Sequence, residues 1–234
     1  TYFYRRLLQA VGYFRPGPGH LVDPFEPQKQ HVIGQALDIL AQFMPLVAQA
    51  APSEALLLWL RRSLWGNRVD LSNVTVEMRG DHQVHAQDDA RILLDDSESI
   101  QQLLTGGTVE QIAWIADNAG LELLSDLGLM DWLLHSGLCR RVHLHVKAQP
   151  YFVSDAMIKD VHASLAAMQA HSSEALAASG RRLRRALQNG RLVLADDPFW
   201  TTCLFFSQLP SSLLAQLAQA DLVFVKGDAN YRRL

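Results

Sequence analysis

Three short apolar runs in the second half of the chain each end in polar residues, and this repeated arrangement limits the fold more than any other feature. The runs and the polar residues that follow them are 112–116 before Asp117-Asn118, 151–153 before Ser154-Asp155, and 222–225 before Lys226-Gly227-Asp228. Helical patterns separate the runs, and short strands that alternate with helices are typical of an α/β fold with a mostly parallel sheet. Open α/β sheets bind ligands outside the carboxyl ends of their strands. The sequence therefore predicts a polar site at that edge, where oxygen ligands and one lysine suit a divalent cation and a phosphate.

The predicted content of the chain changes near residues 106–107. Residues 1–105 carry apolar residues at helical spacing and predict a mostly helical N-terminal subdomain. Residues 106–234 predict a three-layer α/β/α, Rossmann-like domain that binds metal and substrate, with a C-terminal end expected to be incomplete. In this domain, residues 109–110 are expected to be helical, and residues 142–146 alternate strictly, as in a strand. Further short strands are predicted at 74–76, 92–94 and 190–194.

The composition excludes several classes of protein. Hydrophobic residues make up 49% of the chain, which indicates a folded protein, and the formal net charge of -3 argues against a nucleic acid or an anionic membrane as the main partner. No run of eighteen apolar residues is present, so no membrane-spanning helix is expected. Cys139 and Cys203 lack metal-type spacing and are typical of a reducing compartment. We expect a cytoplasmic monomer or weak oligomer, although the start at Thr1 without methionine indicates a further upstream segment.

Asp117 and Asn118 allow two interpretations. At the junction of a strand and a helix, both residue types commonly cap the helix by accepting its first amide hydrogens. Adjacent carboxylate and amide oxygens also suit a hard cation such as Mg²⁺ or Mn²⁺, and the helix amides behind them suit an anion. Asp155 precedes a predicted helix and could likewise be only a cap, and Asp228 follows Gly227, which can supply a tight turn or a close backbone approach. Three strand ends with such residues in one predicted sheet favour a site for a metal and a phosphate, but the capping interpretation stays open.

Other candidate residues have simpler explanations. His143 and His145 share one face of a predicted strand and could bind a metal, but no third ligand is evident and packed strand histidines are more common. Arginines at 181–185 and Arg191 could bind a polyanion, but the acidic balance of the chain favours a solvated helix face. The chain lacks the glycine motifs of dinucleotide-binding and P-loop proteins and the serine motif of α/β-hydrolases.

Several longer motifs resemble one known family. They are DNAGLE at 117–122, KAQPYFVSD at 147–155, FWT at 199–201 and FVKGDANYR at 224–232, preceded by 4–6, 23–25, 64–67 and 70–72. In this order, and over nearly the whole chain, they resemble the metal-dependent damage-control phosphatases, a family long catalogued as a domain of unknown function. Within it, the chain resembles the branch that includes a protein once named an acidic-residue methyltransferase.

The resemblance implies an activity and a set of site residues. Members of this branch act on sugar phosphates such as fructose 1-phosphate and fructose 6-phosphate. The resemblance implies that Asp117, Asn118 and Asp155 hold the metal, typically Mn²⁺, with Co²⁺, Ni²⁺ or Mg²⁺ as alternatives. The implied substrate contacts are Asp117, Asn118, Glu122, Lys226, Asp228, Asn230, Tyr231 and Arg232. The implied catalytic residues are Asp117, Asn118, Asp155 and Asp228, with Asp228 as general base or nucleophile.

Two features depart from the family pattern, and three functions stay open. An Arg-Thr-x-Lys motif, whose lysine contacts the substrate phosphate in the family, is not found in the 234 residues, and Ala229 replaces the more usual leucine. The first function is a metal-dependent hydrolase of small phosphorylated sugars. The second is an S-adenosylmethionine-dependent protein carboxyl methyltransferase, although no glycine-rich loop follows the first clear strand. The third is a sugar-phosphate binding protein without catalysis.

Overall fold

The computed structural model describes residues 2–66, 91–107 and 109–234. Within the described residues, four helices precede the first strand: α1 Tyr2–Ala10, α2 Glu26–Gln49, α3 Pro52–Trp65 and α4 Ser97–Thr105. The remaining elements are β1 Val109–Ile115, α5 Leu121–His135, β2 Cys139–Lys147, α6 Ile158–Ala170, α7 Glu174–Gln188, β3 Leu192–Asp197, α8 Ser211–Leu217, β4 Leu222–Val225 and α9 Asp228–Tyr231. Two short 3₁₀ helices, Pro198–Thr201 and Phe206–Gln208, lie between β3 and α8.

The four strands form one sheet in the order β3-β2-β1-β4, and all neighbouring pairs are parallel. In the register, Trp114 of β1 lies between Leu144 of β2 and Phe224 of β4. Because the strands are parallel, all four carboxyl ends lie at the same edge. The predicted α/β fold with a parallel sheet is confirmed.

The central strand β1 is buried on both faces, as expected for a strand covered by helices on each side. Ile112 and Trp114 face the larger core, which includes α2, α3, α5, α6 and α7. Ala113 and Ile115 face a smaller core that contains Phe199 and residues of α8. The helix α5 lies within the larger core and is buried along almost its entire length. The candidate functional site is formed where β1 ends and α5 begins.

The helix α2 is long and apolar enough to cross a membrane by length and composition, although a core helix of a soluble protein passes the same test. In this structure it buries Ile33, Leu37 and Leu40 in the larger core and contacts α5. This packing is typical of a core helix. The absence of a membrane partner stays a prediction, as does the division of the chain into two domains.

The predicted strand at 151–153 is wrong. This segment is a turn after β2, and Phe152 and Val153 have φ angles of 45° and 67°. Positive φ is costly for a β-branched residue such as Val153, so the surrounding structure must hold the turn in place. Residues 109–110, predicted as helical, instead begin strand β1. Residues 92–94 form no strand, and the strand predicted at 74–76 lies outside the described residues.

Candidate functional site

Asp117 and Asn118 lie at the carboxyl end of β1, where the chain turns into α5. Asn118 donates from Nδ2 to Asp117 Oδ2 at 2.8 Å and to Glu122 Oε2 at 3.0 Å. Its Oδ1 accepts a hydrogen bond from the Ser154 hydroxyl at 2.6 Å. Asn118 therefore orients two carboxylates, and no side chain in the described part of the chain caps the helix α5.

The turn after β2 places Asp155 directly against this strand end. Asn118 and Asp155 form an isolated antiparallel bridge, and the Ala156 amide donates to the Asp117 carbonyl at 2.7 Å. The Ala119 amide donates in turn to the Ser154 carbonyl at 2.7 Å. The structure thus brings together the three residues predicted as metal ligands, although Asp155 reaches the site from a turn and not from a strand end.

One buried lysine contacts both aspartates. The Lys147 ammonium, at the end of β2, lies 3.0 Å from Asp155 Oδ2 and 3.8 Å from Asp117 Oδ1. Burial and the neighbouring Asp155 carboxylate raise the pKa of Asp117 to about 7. Burial also raises the pKa of Asp155, against the opposing effect of Lys147. A cation bound between two such carboxylates would favour their ionised forms.

The end of β4 packs against the Asp117 carboxylate. Gly227 has a φ of 87°, and a Cβ atom added there would lie 2.1 Å from Asp117 Cγ and 2.2 Å from its Oδ2. No other residue type could approach the carboxylate in this way. The glycine therefore allows the ends of β1 and β4 to meet, and it fixes one side of the site.

Lys226 lies at the same strand end, but its ammonium contacts the helical region. It donates to the Ser63 carbonyl at 2.5 Å and to Asp126 Oδ1 at 3.0 Å, and it lies 3.3 Å from Glu122 Oε1. Burial acts to lower the pKa of Lys226, but the nearby charges on Asp126 and Glu122 outweigh it, so this pKa is raised. Glu122 thus links Lys226 to Asn118. The direct role of Lys226 in substrate binding stays a prediction.

The remaining predicted residues lie on α9 and differ in exposure. Asn230 is buried and donates to the Lys226 carbonyl at 2.8 Å. Asp228, Tyr231 and Arg232 are exposed, and Arg232 pairs with Asp228 at 2.8 Å. The Asp228 carboxylate is therefore engaged by Arg232, and no contact in the described structure joins it to the two buried aspartates.

A cavity of about 520 Å³ opens beside these residues. Glu122, Lys226, Gly227, Asp228 and Tyr231 line one side, and residues of α3 and α4 line the other. The volume is in the range of small-molecule sites, which are mostly apolar with a few polar groups. The cavity therefore has room for a ligand next to Glu122 and Lys226, whereas Asp117, Asn118 and Asp155 are not among the residues that line it.

A second acidic group lies near the start of α2. The ligand atoms of Asp23, Glu26 and Asp160 lie within 4.8 Å of one another, so this group could also bind a metal ion. This group was not predicted from the sequence, and neither was Lys147 as part of the first site. The signal for Lys147 was present, because a charged residue that ends an alternating strand of buried residues needs a buried partner.

The fold and the site together define an α/β protein with a buried carboxylate–amide site at the ends of parallel strands. The whole chain, residues 1–234, matches the family described as "Damage-control phosphatase ARMT1-like domain". The chain belongs to this family.

Two curated relatives and one solved structure agree with this assignment. Damage-control phosphatase ARMT1 of Danio rerio is 31% identical over 100% of this chain and 57% of its own length. The protein of the same name from Homo sapiens is 30% identical over 100% of this chain and 58% of its own length. The chain thus spans somewhat more than half the length of these relatives. A DUF89 family protein from Pyrococcus horikoshii has a TM-score of 0.57 and 17% identity, over 91% of this chain and 63% of its own, and supports the fold alone.

Proposed function

We propose that this chain is a metal-dependent phosphatase that hydrolyses sugar phosphates of the fructose 1-phosphate or fructose 6-phosphate type. The observation that carries the proposal is the charge of the buried site. Its salt bridges set four carboxylates, on Asp117, Glu122, Asp126 and Asp155, against two ammonium groups. A bound divalent cation would favour the ionised form of all four carboxylates and would balance the two remaining negative charges.

The donor set fits a hard cation. Asp117, Asn118 and Asp155 offer two carboxylates and one amide oxygen, which suit Mn²⁺ or Mg²⁺, with Co²⁺ and Ni²⁺ as alternatives. When bound, the cation would supply charge that stabilises a phosphate undergoing hydrolysis.

The protein's own groups can bind and orient the substrate. The helix α5 begins at this edge of the sheet, and its first amides can donate to phosphate oxygens. Arg232 is exposed, pairs with Asp228 at the cavity wall, and can pair with an anionic oxygen.

The names of the relatives support phosphatase over the two alternatives. The turn after β1 presents the Asp117 and Asn118 side chains and not a glycine-rich loop, so nothing in the site favours a methyltransferase. The small substrate, a cytoplasmic location and a monomeric or weakly oligomeric state are parts of the same proposal.

The test is phosphate release from a panel of sugar phosphates, with Mn²⁺ and with a chelator. Asp117→Asn and Asp155→Asn are compared with Asp196→Asn, which changes an exposed aspartate on β3. A longer form that carries an Arg-Thr-x-Lys segment is assayed in parallel. We expect Mn²⁺-dependent release in the wild type and in Asp196→Asn, and at least about a 100-fold loss in the two site variants. Release that is unchanged in both site variants would refute the proposal, and ligand binding without release in either form would replace it with a binding function.

A further inference from the structure

Lys29, on the first turn of α2, is a buried lysine that lies outside the proposed metal ligands. Its ammonium donates to Asp23 Oδ2 at 3.0 Å, to Asp160 Oδ2 at 2.9 Å and to the main-chain carbonyl of Asp155 at 2.8 Å. The side chain is only 3% exposed. A buried ammonium is stable only when its charge and its hydrogen bonds are satisfied, so these three acceptors fix its position.

The three acceptors lie on separate segments of the chain. Asp23 precedes α2 and also accepts a hydrogen bond from the Phe25 amide at 2.9 Å. Asp160 lies on α6, and its Oδ2 also accepts a hydrogen bond from the Met157 amide at 2.9 Å. Lys29 therefore joins the start of α2 to the segment that contains Asp155, on both sides of that residue.

The Asp155 segment depends on such external contacts. It follows directly on Phe152 and Val153, whose positive φ angles are unfavourable in the free chain. The Ala156 amide, beyond Asp155, donates to the Asp117 carbonyl at 2.7 Å. A shift of the Asp155 main chain would therefore change the distance between the two aspartates.

The lysines also explain the second acidic group. Lys29 contacts Asp23 and Asp160, and Lys159 contacts Asp23 at 3.0 Å, Asp160 at 2.7 Å and also Glu26. Two ammonium groups thus occupy the positions where a cation would bind. The group is a network of ion pairs, and its contact with the first site is the bond from Lys29 to Asp155.

We propose that Lys29 is a positioning residue for the metal site, because its hydrogen bond to the Asp155 carbonyl holds the Asp155 carboxylate at the distance from Asp117 that metal binding requires. This inference rests on the proposed function, in which Asp155 is a metal ligand. Residues that orient metal ligands from behind typically change metal affinity by about 10- to 100-fold when they are removed.

Lys159 provides a matched control. It pairs with Asp23 and Asp160, the two carboxylates that Lys29 contacts, and with Glu26, and among the described contacts it makes no bond to Asp155. We would compare Asp23→Asn/Lys29→Met with Asp23→Asn/Lys159→Met. Each pair of changes removes one negative and one positive charge, so both variants keep the wild-type charge of the network, and the Asp23→Asn change retains an oxygen for the Phe25 amide. Urea unfolding would show that both variants are folded under the assay conditions.

Two measurements test the proposal. The first is the Kd for Mn²⁺ by calorimetry. We expect this Kd to be at least about tenfold higher in Asp23→Asn/Lys29→Met than in Asp23→Asn/Lys159→Met. The second is hydrogen–deuterium exchange of the metal-free proteins over residues 151–157, with residues 174–188 as the reference. We expect exchange at 151–157 to be at least about fivefold faster in Asp23→Asn/Lys29→Met than in Asp23→Asn/Lys159→Met, which is the change that one lost hydrogen bond produces.

The outcomes separate this inference from the proposed function. Equal exchange at 151–157 in the two variants would overturn the positioning role of Lys29, whatever the metal results. Equal Mn²⁺ affinity would overturn its link to the metal site. If the wild type itself does not bind Mn²⁺, the proposed function fails, and the exchange comparison still decides whether Lys29 holds the Asp155 segment.

Discussion

Replacement of Gly227 by alanine tests the packing of β4 against the metal site. The backbone there has a φ of 87° and a ψ of 151°, a conformation that costs a residue with a side chain about 1–3 kcal/mol. The added methyl group would also lie 2.1–2.6 Å from three atoms of the Asp117 carboxylate, which is far inside contact distance. Overpacking of this kind costs about 1–3 kcal/mol more when the structure adjusts. We therefore expect Gly227→Ala to lower the free energy of unfolding by about 2–6 kcal/mol.

The same change should displace Asp117, and this effect separates steric contact from backbone strain. Gly137→Ala is the matched control, because Gly137 also has a positive φ of 75° but nothing lies within 4 Å of its added methyl group. We expect Gly137→Ala to cost about 1–2 kcal/mol and to leave Mn²⁺ affinity unchanged. Urea unfolding and calorimetric Mn²⁺ titration would measure both effects. A Gly227→Ala protein with the stability and the Mn²⁺ affinity of Gly137→Ala would refute the close packing of Gly227 on Asp117.

Two further predictions concern buried ionisable groups. Lys226→Met should lower the free energy of unfolding, measured by urea unfolding, by about 3–5 kcal/mol, because it leaves the Glu122 and Asp126 carboxylates without their ammonium partner. Arg140→Met, at an exposed ion pair, should have little effect. Equal losses of stability in the two variants would contradict the prediction. Burial lowers the pKa of His145 to about 4, so between pH 6.5 and pH 4 only the unfolded chain binds this proton and stability falls by up to about 3 kcal/mol as pH falls. His145→Phe should reduce that fall in urea unfolding measured across this range, and an unchanged pH dependence would contradict the assignment.

The parallel sheet could be predicted from the sequence because its strands are short, apolar and separated by clear helical patterns. Strand β1 is buried on both faces and has a nearly continuous apolar sequence, and β2 contains the strict alternation at 142–146. The placement of Asp117 and Asn118 followed from the rule that open α/β sheets bind ligands outside the carboxyl ends of their strands. These features depend on local sequence, and the structure agrees with them.

The segment at 151–153 shows why the rest could not be predicted. Tyr151 and Phe152 are aromatic and suggest a strand. In the structure Tyr151 is buried, and the Phe152 ring packs against the Tyr4 ring of α1 with 5.2 Å between the ring centroids. Their apolar character serves contacts between distant parts of the chain. Phe and Val are not residue types that favour a positive φ angle, so a turn that contains Phe152 and Val153 cannot be recognised from the local sequence pattern.

The partners of the three buried lysines near the site were equally hard to predict, since each lysine has partners far away in sequence. Lys147, Lys226 and Lys29 are all less than 10% exposed, and each contacts groups on at least two other segments. A buried ammonium with fixed acceptors restrains every segment that it contacts, because any movement leaves a charge uncompensated. Two of these lysines sit among four carboxylates, so the side chains are held in place, and the site carries net negative charge when all four carboxylates are ionised, as a bound cation would favour. A rigid, negatively charged group of oxygen ligands is the arrangement that binds a divalent cation with little reorganisation. This is why the proposed metal site lies between Asp117 and Asp155 and not at the lysine-filled group beside α2.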